Sequence, residues 1–358
     1  MKLLILVGSI PPKCGGAEMV AWNHAVYIKK YFNYEVHILT FGNSFKMEKK
    51  EGIIIHYVPK RKLAFEYYLT IGRNMILKIA EAIKPDVIHQ HIPQIFGYIL
   101  RDFPSIKIAT IHDGLPEDQI LQNLSLYKRF RYLIIRRWLN FRKMDAITSV
   151  SLHNTNYMQE RYGSMFSFIT IPNGIDIDYF KPLVDIKKKG YVLYVGRLLR
   201  RKGVDNLIEA SKLLPEIDFK FIGKGHLSKE IKGKNVEYLG FVDNLPKYYN
   251  EATVCVFPSN SENYPLVGLE AMACGTPIIT TSVGFSEYVN SGINGIILED
   301  NSPDSIASAI NNFITDKDLM DKIKQKGLST AKDSFWPTIV GKYNSLYQEI
   351  KESKVNNK

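Results

Sequence analysis

Two α/β domains, each built on a mostly parallel, doubly wound sheet, are the architecture that this 358-residue sequence predicts. Three observations lead there. Short apolar runs alternate with segments of helical period from the first residue onward. The alternation breaks once, at a Pro-bearing, Lys-rich connector over residues 181–190, and then restarts. The length also suits two domains of roughly 100–200 residues, each large enough to bury a core.

In the first half, Leu3–Val7, Glu35–Thr40, Gly52–Val58, Asp86–His89, Lys107–Ile111, Ala146–Val150 and Phe168–Ile171 read as strands, several of them bounded by Gly, Pro or Asn. Helical periodicity runs through Ala17–Lys30, Tyr68–Ile83 and Tyr127–Lys143. After the connector, Tyr191–Val195, Asp218–Ile222, Val236–Leu239, Thr253–Pro258, Pro277–Thr281 and Gly295–Leu298 form the second set of strands. Gly203–Leu213, Leu266–Cys274 and Pro303–Thr315 read as helices. A last helical pattern over Phe335–Lys351 carries Trp336, Ile339, Val340, Tyr343, Leu346, Tyr347 and Ile350 on one face, with a polar end after it. Open sheets of this kind bind ligands beyond the carboxyl ends of their strands, so the loops that follow strands are where chemistry is expected.

Composition removes several classes. Hydrophobic residues at 45% and charged residues at 23% are ordinary for a folded soluble chain and exclude long disorder. Cys14, Cys255 and Cys274 are odd in number and widely spaced, which argues against a disulfide framework or a structural zinc site and fits a cytoplasmic protein. The apolar start, Leu3–Val7, stops at Gly8, short of the ~7–15 residues of a signal sequence, and no run reaches the ~18–20 residues of a membrane span. The net charge of +11 is uneven: residues 1–180 hold 23 Lys+Arg against 15 Asp+Glu.

Three loops carry the chemistry. The first, Gly8 through Glu18, follows a strand and opens a helix, and Gly15 and Gly16 would leave N–H groups bare for an anion. It matches neither the dinucleotide fingerprint nor the P-loop. The second, Gly196-Arg197-Leu198-Leu199-Arg200-Arg201-Lys202-Gly203, places four cations after a strand, suited to a phosphate-bearing ligand or to simple solvation. The third runs from Ser259 to Pro277. Pro265 sits near a helix start, which sets the N–H groups of Leu266 and Val267 in the first turn, free for an anion. Glu262 then lies on the loop and Glu270 about two turns into the helix, where capping and a solvent-facing position are the plainer alternatives.

Taken together these stretches resemble the retaining glycosyltransferases of the family 4 type, the group that includes sucrose synthases and bacterial mannosyl- and glucosyltransferases of cell-surface glycan synthesis. Glu262-x7-Glu270 resembles that family's paired glutamates, Gly196-Arg197 with Lys202 its diphosphate clamp, and Gly15-Gly16-Ala17-Glu18 its first glycine loop. Ile171 to Asp176, containing Asn173, is similar to the family's crossing segment. The resemblance covers nearly the whole chain and implies a GT-B fold. Residues 1–174 would form an acceptor-binding domain, 175–334 a nucleotide-sugar-binding domain, and 335–358 a helix crossing back to the first.

By the same resemblance Arg197 and Lys202 hold the diphosphate, Glu270 the ribose, and Glu262 with the backbone of Leu266 and Val267 the donor sugar. His112, in Thr110-Ile111-His112-Asp113, matches the cleft histidine near the reacting carbon. Asn263 and Pro265 depart from the family's glycines, and proline removes a backbone donor. The donor would be a UDP- or GDP-linked sugar, with no cofactor. No metal is expected: Asp176-Ile177-Asp178 suits turn chemistry better than ligation, and the histidines look too scattered for a ligand cluster. A same-face attack and a covalent intermediate are both open pathways.

Residues 126–143 hold seven Lys/Arg and no acid, and Tyr132, Ile135 and Leu139 lie among the cations on the face opposite the apolar one. Arg131, Tyr132, Ile135, Arg136 and Leu139 are therefore expected to contact an anionic membrane surface, placing the chain on the inner face of the cell membrane with a lipid-linked or polysaccharide acceptor. A solvated helix face is the alternative. No nucleic-acid motif accompanies the charge. Two rival functions are a nucleotide-sugar epimerase of the same fold and a non-catalytic sugar-nucleotide or glycan-binding subunit. The first would need carboxylates and histidines placed for proton transfer at C2; the second would not need the set His112, Arg197, Lys202, Glu262 and Glu270.

Overall fold

The computed structural model describes residues 1–12, 14–59, 71–91, 95–112, 143–163, 166–184 and 186–356. The chain forms two compact units, Met1–Asn173 with Trp336–Lys358, and Gly174–Phe335.

Along the first unit run β1 (Lys2–Leu6), α1 (Gly16–Phe32), β2 (Glu35–Gly42), β3 (Lys46–Lys50), β4 (Ile53–Pro59), α2 (Ile71–Ile83), β5 (Val87–His91), α3 (Ile95–Ile99), β6 (Ile106–Ile111), β7 (Ala146–Ser149), α4 (Leu152–Tyr162) and β8 (Phe168–Thr170). The strand order is β3-β4-β2-β1-β5-β6-β7-β8. Every pairing is parallel except β3 with β4. Leu3, Leu4, Ile5 and Leu6 are all fully buried, the continuous apolar strand that a sheet covered on both faces requires. One side of the core gathers Leu4, Leu6, Leu39, Val58, Ile76, Phe96 and Leu100.

The edge strand β3 is not expected from the sequence, because Lys46-Met47-Glu48-Lys49-Lys50 has no apolar alternation. It forms through its turn. Glu51 and Gly52, with φ of 52° and 76°, make the left-handed two-residue hairpin that matches strand twist. Gly52 thus belongs to the turn rather than to the strand. The hydroxyl of Tyr57 on β4 donates to Glu48 at 2.6 Å and fastens the pair.

The second unit continues with β9 (Val192–Val195), a 3-10 turn (Arg200–Lys202), α5 (Val204–Leu213), β10 (Phe219–Ile222), β11 (Val236–Gly240), α6 (Leu245–Glu251), β12 (Val254–Phe257), α7 (Leu266–Ala273), β13 (Ile278–Thr280), β14 (Ile296–Ile297), α8 (Pro303–Thr315) and α9 (Lys317–Asp333). Its order, β11-β10-β9-β12-β13-β14, is parallel throughout. The order reverses direction between β9 and β12, the switch point at which a doubly wound sheet opens a crevice. Four helices are not expected from the sequence: α3 and α6 have only five and seven residues, α4 is mostly polar, and α9 is mostly Lys, Asp and Gln, burying only Ile323, Gly327 and Ala331.

The chain leaves the second unit beside the point where it entered. The Ile175 N–H donates to the Ser334 carbonyl at 2.8 Å, and Ile175 bridges Phe335 in parallel. A long helix, α10 (Trp336–Asn356), then packs on α1 in the first unit. It buries Trp336, Ile339, Val340, Tyr343, Leu346 and Tyr347, six of the seven residues on its sequence-predicted face. Trp336 is wholly buried and stacks on Tyr27, ring centroids 5.9 Å apart. Trp336→Ala is therefore expected to destabilise the first unit by about 3–5 kcal/mol, read as a lower urea midpoint.

Candidate functional site

In the second unit the loops after β9 and β12 leave the switch point together and are stitched to each other. The Asn260 N–H donates to the Arg201 carbonyl at 3.0 Å, and the Ser259 hydroxyl reaches the same oxygen at 3.3 Å. Gly203 has φ of +67°, and a Cβ there would stand 1.9 Å from the Pro258 carbonyl oxygen, so only glycine allows this approach.

The stitching brings Lys202 against Glu262. Lys202 Nζ lies 2.5 Å from Glu262 Oε1 and donates to the Ser261 carbonyl at 2.7 Å. Lys202 is 8% exposed. Burial lowers the pKa of its ammonium, while Glu262 acts to raise it. Glu262 is held from behind by Gly284, where φ is +72° and a Cβ would meet Glu262 at 2.7 Å.

The other cations of the loop divide. Arg200 pairs with Asp205 at 3.1 Å and lies 3.9 Å from Glu230, so it is spoken for. Arg197 and Arg201 are exposed, and the Arg197 carbonyl accepts from the buried Tyr194 hydroxyl at 3.0 Å, which fixes the backbone there.

Pro265 caps α7 with extended geometry (φ −71°, ψ 120°), and its carbonyl accepts from Tyr288 at 2.6 Å. Leu266 and Val267 open the helix, as expected, and their N–H groups have no intrahelical acceptor. Glu270 is the fifth residue of this eight-residue helix, closer to its start than the two turns expected. It is half-buried rather than turned out to solvent. Tyr249 of α6 donates to Glu270 Oε2 at 2.8 Å, and burial pushes the carboxyl up to about 7, against the lowering effect of that bond.

In the first unit, Gly15 is the N-cap of α1 and its N–H donates to Glu18 Oε2 at 3.1 Å, so Glu18 caps the helix. A Cβ on Gly16 would meet nothing within 4 Å. Asn173 is buried at the last position of this unit. Asp176 Oδ1 accepts from the N–H groups of Asp178 at 3.0 Å and Tyr179 at 3.1 Å, the turn chemistry read from the sequence.

His112 follows β6, buried, with its pKa drawn down to about 4 by desolvation. It is not the isolated histidine the sequence suggests. The fold collects His24 from α1, His89 and His91 from β5, and His112 into one hydrogen-bonded group, correcting the expectation that the histidines are scattered. The signal available was His89-x-His91: on a strand, residues two apart share a face.

The expected membrane contacts Arg131, Tyr132, Ile135, Arg136 and Leu139 lie outside the described residues, as does Asp113. Among the described residues no helix is long and apolar enough to cross a membrane.

Two doubly wound, mostly parallel α/β sheets make the GT-B class of fold. Residues 177–330 match the family model for glycosyl transferases group 1, and residues 14–179 that for glycosyltransferase family 4. An uncharacterised glycosyltransferase of Methanocaldococcus jannaschii is 30% identical across 95% of this chain and 96% of its own. The chain belongs to this glycosyltransferase family. The UDP-Gal:alpha-D-GlcNAc-diphosphoundecaprenol alpha-1,3-galactosyltransferase of Escherichia coli is 26% identical across 76% of this chain and 80% of its own. Anabaena HepE, solved in complex with UDP-glucose, superposes with a TM-score of 0.76 at 19% identity, covering 99% of this chain and 100% of that one.

The titration of Glu270 has a stability consequence. Between the ordinary 4.5 and the raised value of about 7 the folded protein holds a proton that the unfolded chain releases, so the Glu270 contribution declines as pH rises through that window. Glu270→Gln keeps an acceptor for Tyr249 and removes the decline. Its gain in melting temperature over the wild type should grow from pH 5 to pH 8.

Proposed function

We propose that this glycosyltransferase is a retaining, metal-independent enzyme that moves a hexose from a UDP- or GDP-linked donor to a lipid-linked or polysaccharide acceptor in cell-surface glycan synthesis. The observation that carries the reading is the Lys202–Glu262 pair, 2.5 Å long, at the β9/β12 switch point. An incoming diphosphate takes over from the Glu262 carboxylate as the counter-charge of Lys202, with the exposed Arg197 beside it in the same loop. Lys202 then stabilises the leaving phosphate as its charge grows, a task that oriented cations perform without a metal. Glu262, released, turns to the donor sugar with the N–H groups of Leu266 and Val267.

Glu270, positioned by Tyr249, accepts from the ribose hydroxyls in its ionised form. Because its carboxyl sits at about 7, nucleotide affinity declines as pH falls below that value. The open space at Gly16 and the N-terminus of α1 suit a ligand group approaching the backbone of the first unit. His112 contacts the donor sugar near the reacting carbon. The E. coli relative, whose name gives UDP-Gal as donor and a diphosphoundecaprenol-linked acceptor, and the UDP-glucose bound to HepE favour a uridine donor and an acceptor at a membrane.

A panel of UDP-, GDP- and ADP-sugars tests the donor: one UDP- or GDP-sugar should raise the melting temperature, equivalent to about 2.7 kcal/mol at a concentration of 100 Kd. With that donor, Glu270→Ala should weaken nucleotide binding, and Lys202→Ala should lower turnover by ~10²-fold, the scale of one lost transition-state donor. Unchanged kinetics in both variants would refute the site. Binding without any hydrolysis or transfer would instead mark a non-catalytic subunit. The membrane part is read by flotation: recovery with anionic vesicles should exceed recovery with neutral ones.

A further inference from the structure

The histidine group of the first unit forms part of a longer hydrogen-bonded chain. His112 Nε2 lies 3.0 Å from His91 Nδ1, and His91 Nε2 lies 2.9 Å from His24 Nδ1. His24 Nε2 is 3.2 Å from the Tyr347 hydroxyl of α10, which lies 2.6 Å from His89 Nδ1. His89 Nε2 reaches Thr110 Oγ1 at 2.7 Å, Thr110 reaches Thr148 Oγ1 at 2.6 Å, and the Thr148 hydroxyl donates to the Ala109 carbonyl at 3.5 Å.

All of these side chains are buried. Desolvation draws His24 down to about 3 and His112 to about 4, and holds His89 and His91 well below the ordinary value, so the rings are neutral. A neutral imidazole has one N–H and one bare nitrogen. Where each ring uses both nitrogens, the tautomer of one dictates that of the next.

The chain has one member that can only accept, the Ala109 carbonyl at its far end. From there the direction follows link by link. Thr148 donates to Ala109, Thr110 to Thr148, His89 through Nε2–H to Thr110, which also accepts from the Tyr343 hydroxyl at 3.4 Å, and Tyr347 to His89 Nδ1. His24 donates through Nε2–H to Tyr347, His91 through Nε2–H to His24, and His112 through Nε2–H to His91.

We propose that His91 and His24, anchored by Tyr347 of the C-terminal helix, are positioning residues that hold His112 in its Nε2–H tautomer, so that Nδ1 carries the lone pair His112 uses as an acceptor. This rests on the reading of His112 as the residue beside the donor sugar. His24, His89 and His91 also present ring nitrogens within 4.8 Å of one another, a spacing a metal ion could use. The hydrogen-bonded chain is favoured because it already occupies both nitrogens of each of these rings, and no carboxylate is in that group to offset a buried dication.

The test uses the full chain labelled with 15N-histidine. Long-range 1H–15N correlation, assigned by the loss of one ring in His112→Gln, should show the wild-type His112 protonated on Nε2 and bare on Nδ1. In His91→Phe that ring should become a mixture of tautomers. Its kcat should fall about tenfold, about 1.4 kcal/mol in the barrier, with the donor KM nearly unchanged. His91→Gln, which restores a hydrogen-bonding partner, should recover part of the loss.

A wild-type His112 protonated on Nδ1 overturns the proposal, and so does a stoichiometric metal ion in the purified protein. His91→Phe with wild-type kcat and one tautomer, beside an inactive His112→Gln, overturns it while leaving the role of His112 standing. A fully active His112→Gln instead refutes that role, and with it the catalytic half of the proposal. The His91→Gln and wild-type spectra keep the test decisive if His91→Phe does not fold.

Discussion

The contact between Lys202 and Glu262 at the β9/β12 switch point is the constraint on which the second unit's site depends. A lysine this buried needs a counter-charge, since an uncompensated ammonium in the interior is strongly destabilising. Glu262 supplies it only because the loops after two adjacent parallel strands run together. That approach in turn requires Gly203, whose missing Cβ lets the backbone lie against Pro258, and Gly284, which leaves room behind Glu262. The site is thus a product of main-chain packing before it is a set of charged groups. Glu270 follows the same logic one helix turn further on, where a tyrosine from α6 reaches a carboxyl that desolvation holds near neutrality.

The first unit solves a different problem. A row of buried imidazoles and hydroxyls is costly unless every member finds a partner, and fully satisfied it makes the surrounding core specific. The partners come from five directions: α1, β5, β6 with its following residue, β7, and α10. Tyr347 lies 258 residues from His89 in the chain, yet their side chains are 2.6 Å apart. The C-terminal helix therefore contributes to the polar interior of the first unit as well as to its apolar packing through Trp336, Ile339 and Val340. The paired backbone at Ile175 and Phe335 shows the chain entering and leaving the second unit side by side.

Much of the architecture was legible because parallel strands buried on both faces leave an unmistakable trace, such as Leu3–Leu6 or Val254–Phe257, and because Pro265 and Gly275 bracket α7. The edge strand at 46–50 left none, since its stability lies in the turn and in one tyrosine hydrogen bond rather than in apolar alternation. Among the site residues, the positions of Leu266 and Val267 in the first turn of α7 could be read from Pro265 alone. The partner of Glu270 could not, because Tyr249 sits on α6, a seven-residue helix too short to show a period.

By itself the sequence determined the two-sheet fold, the loops that bear charge, and the family to which the chain belongs, because these rest on local spacing and on residue types that a strand or a helix start demands. Only the tertiary structure decided which charges meet. It paired Lys202 with Glu262 and Arg200 with Asp205, and it drew His24, His89, His91 and His112 into one chain of hydrogen bonds. These partnerships join residues 5 to 67 positions apart in sequence, and the distant ones have no local pattern, because they arise from where the crossover connections carry each element.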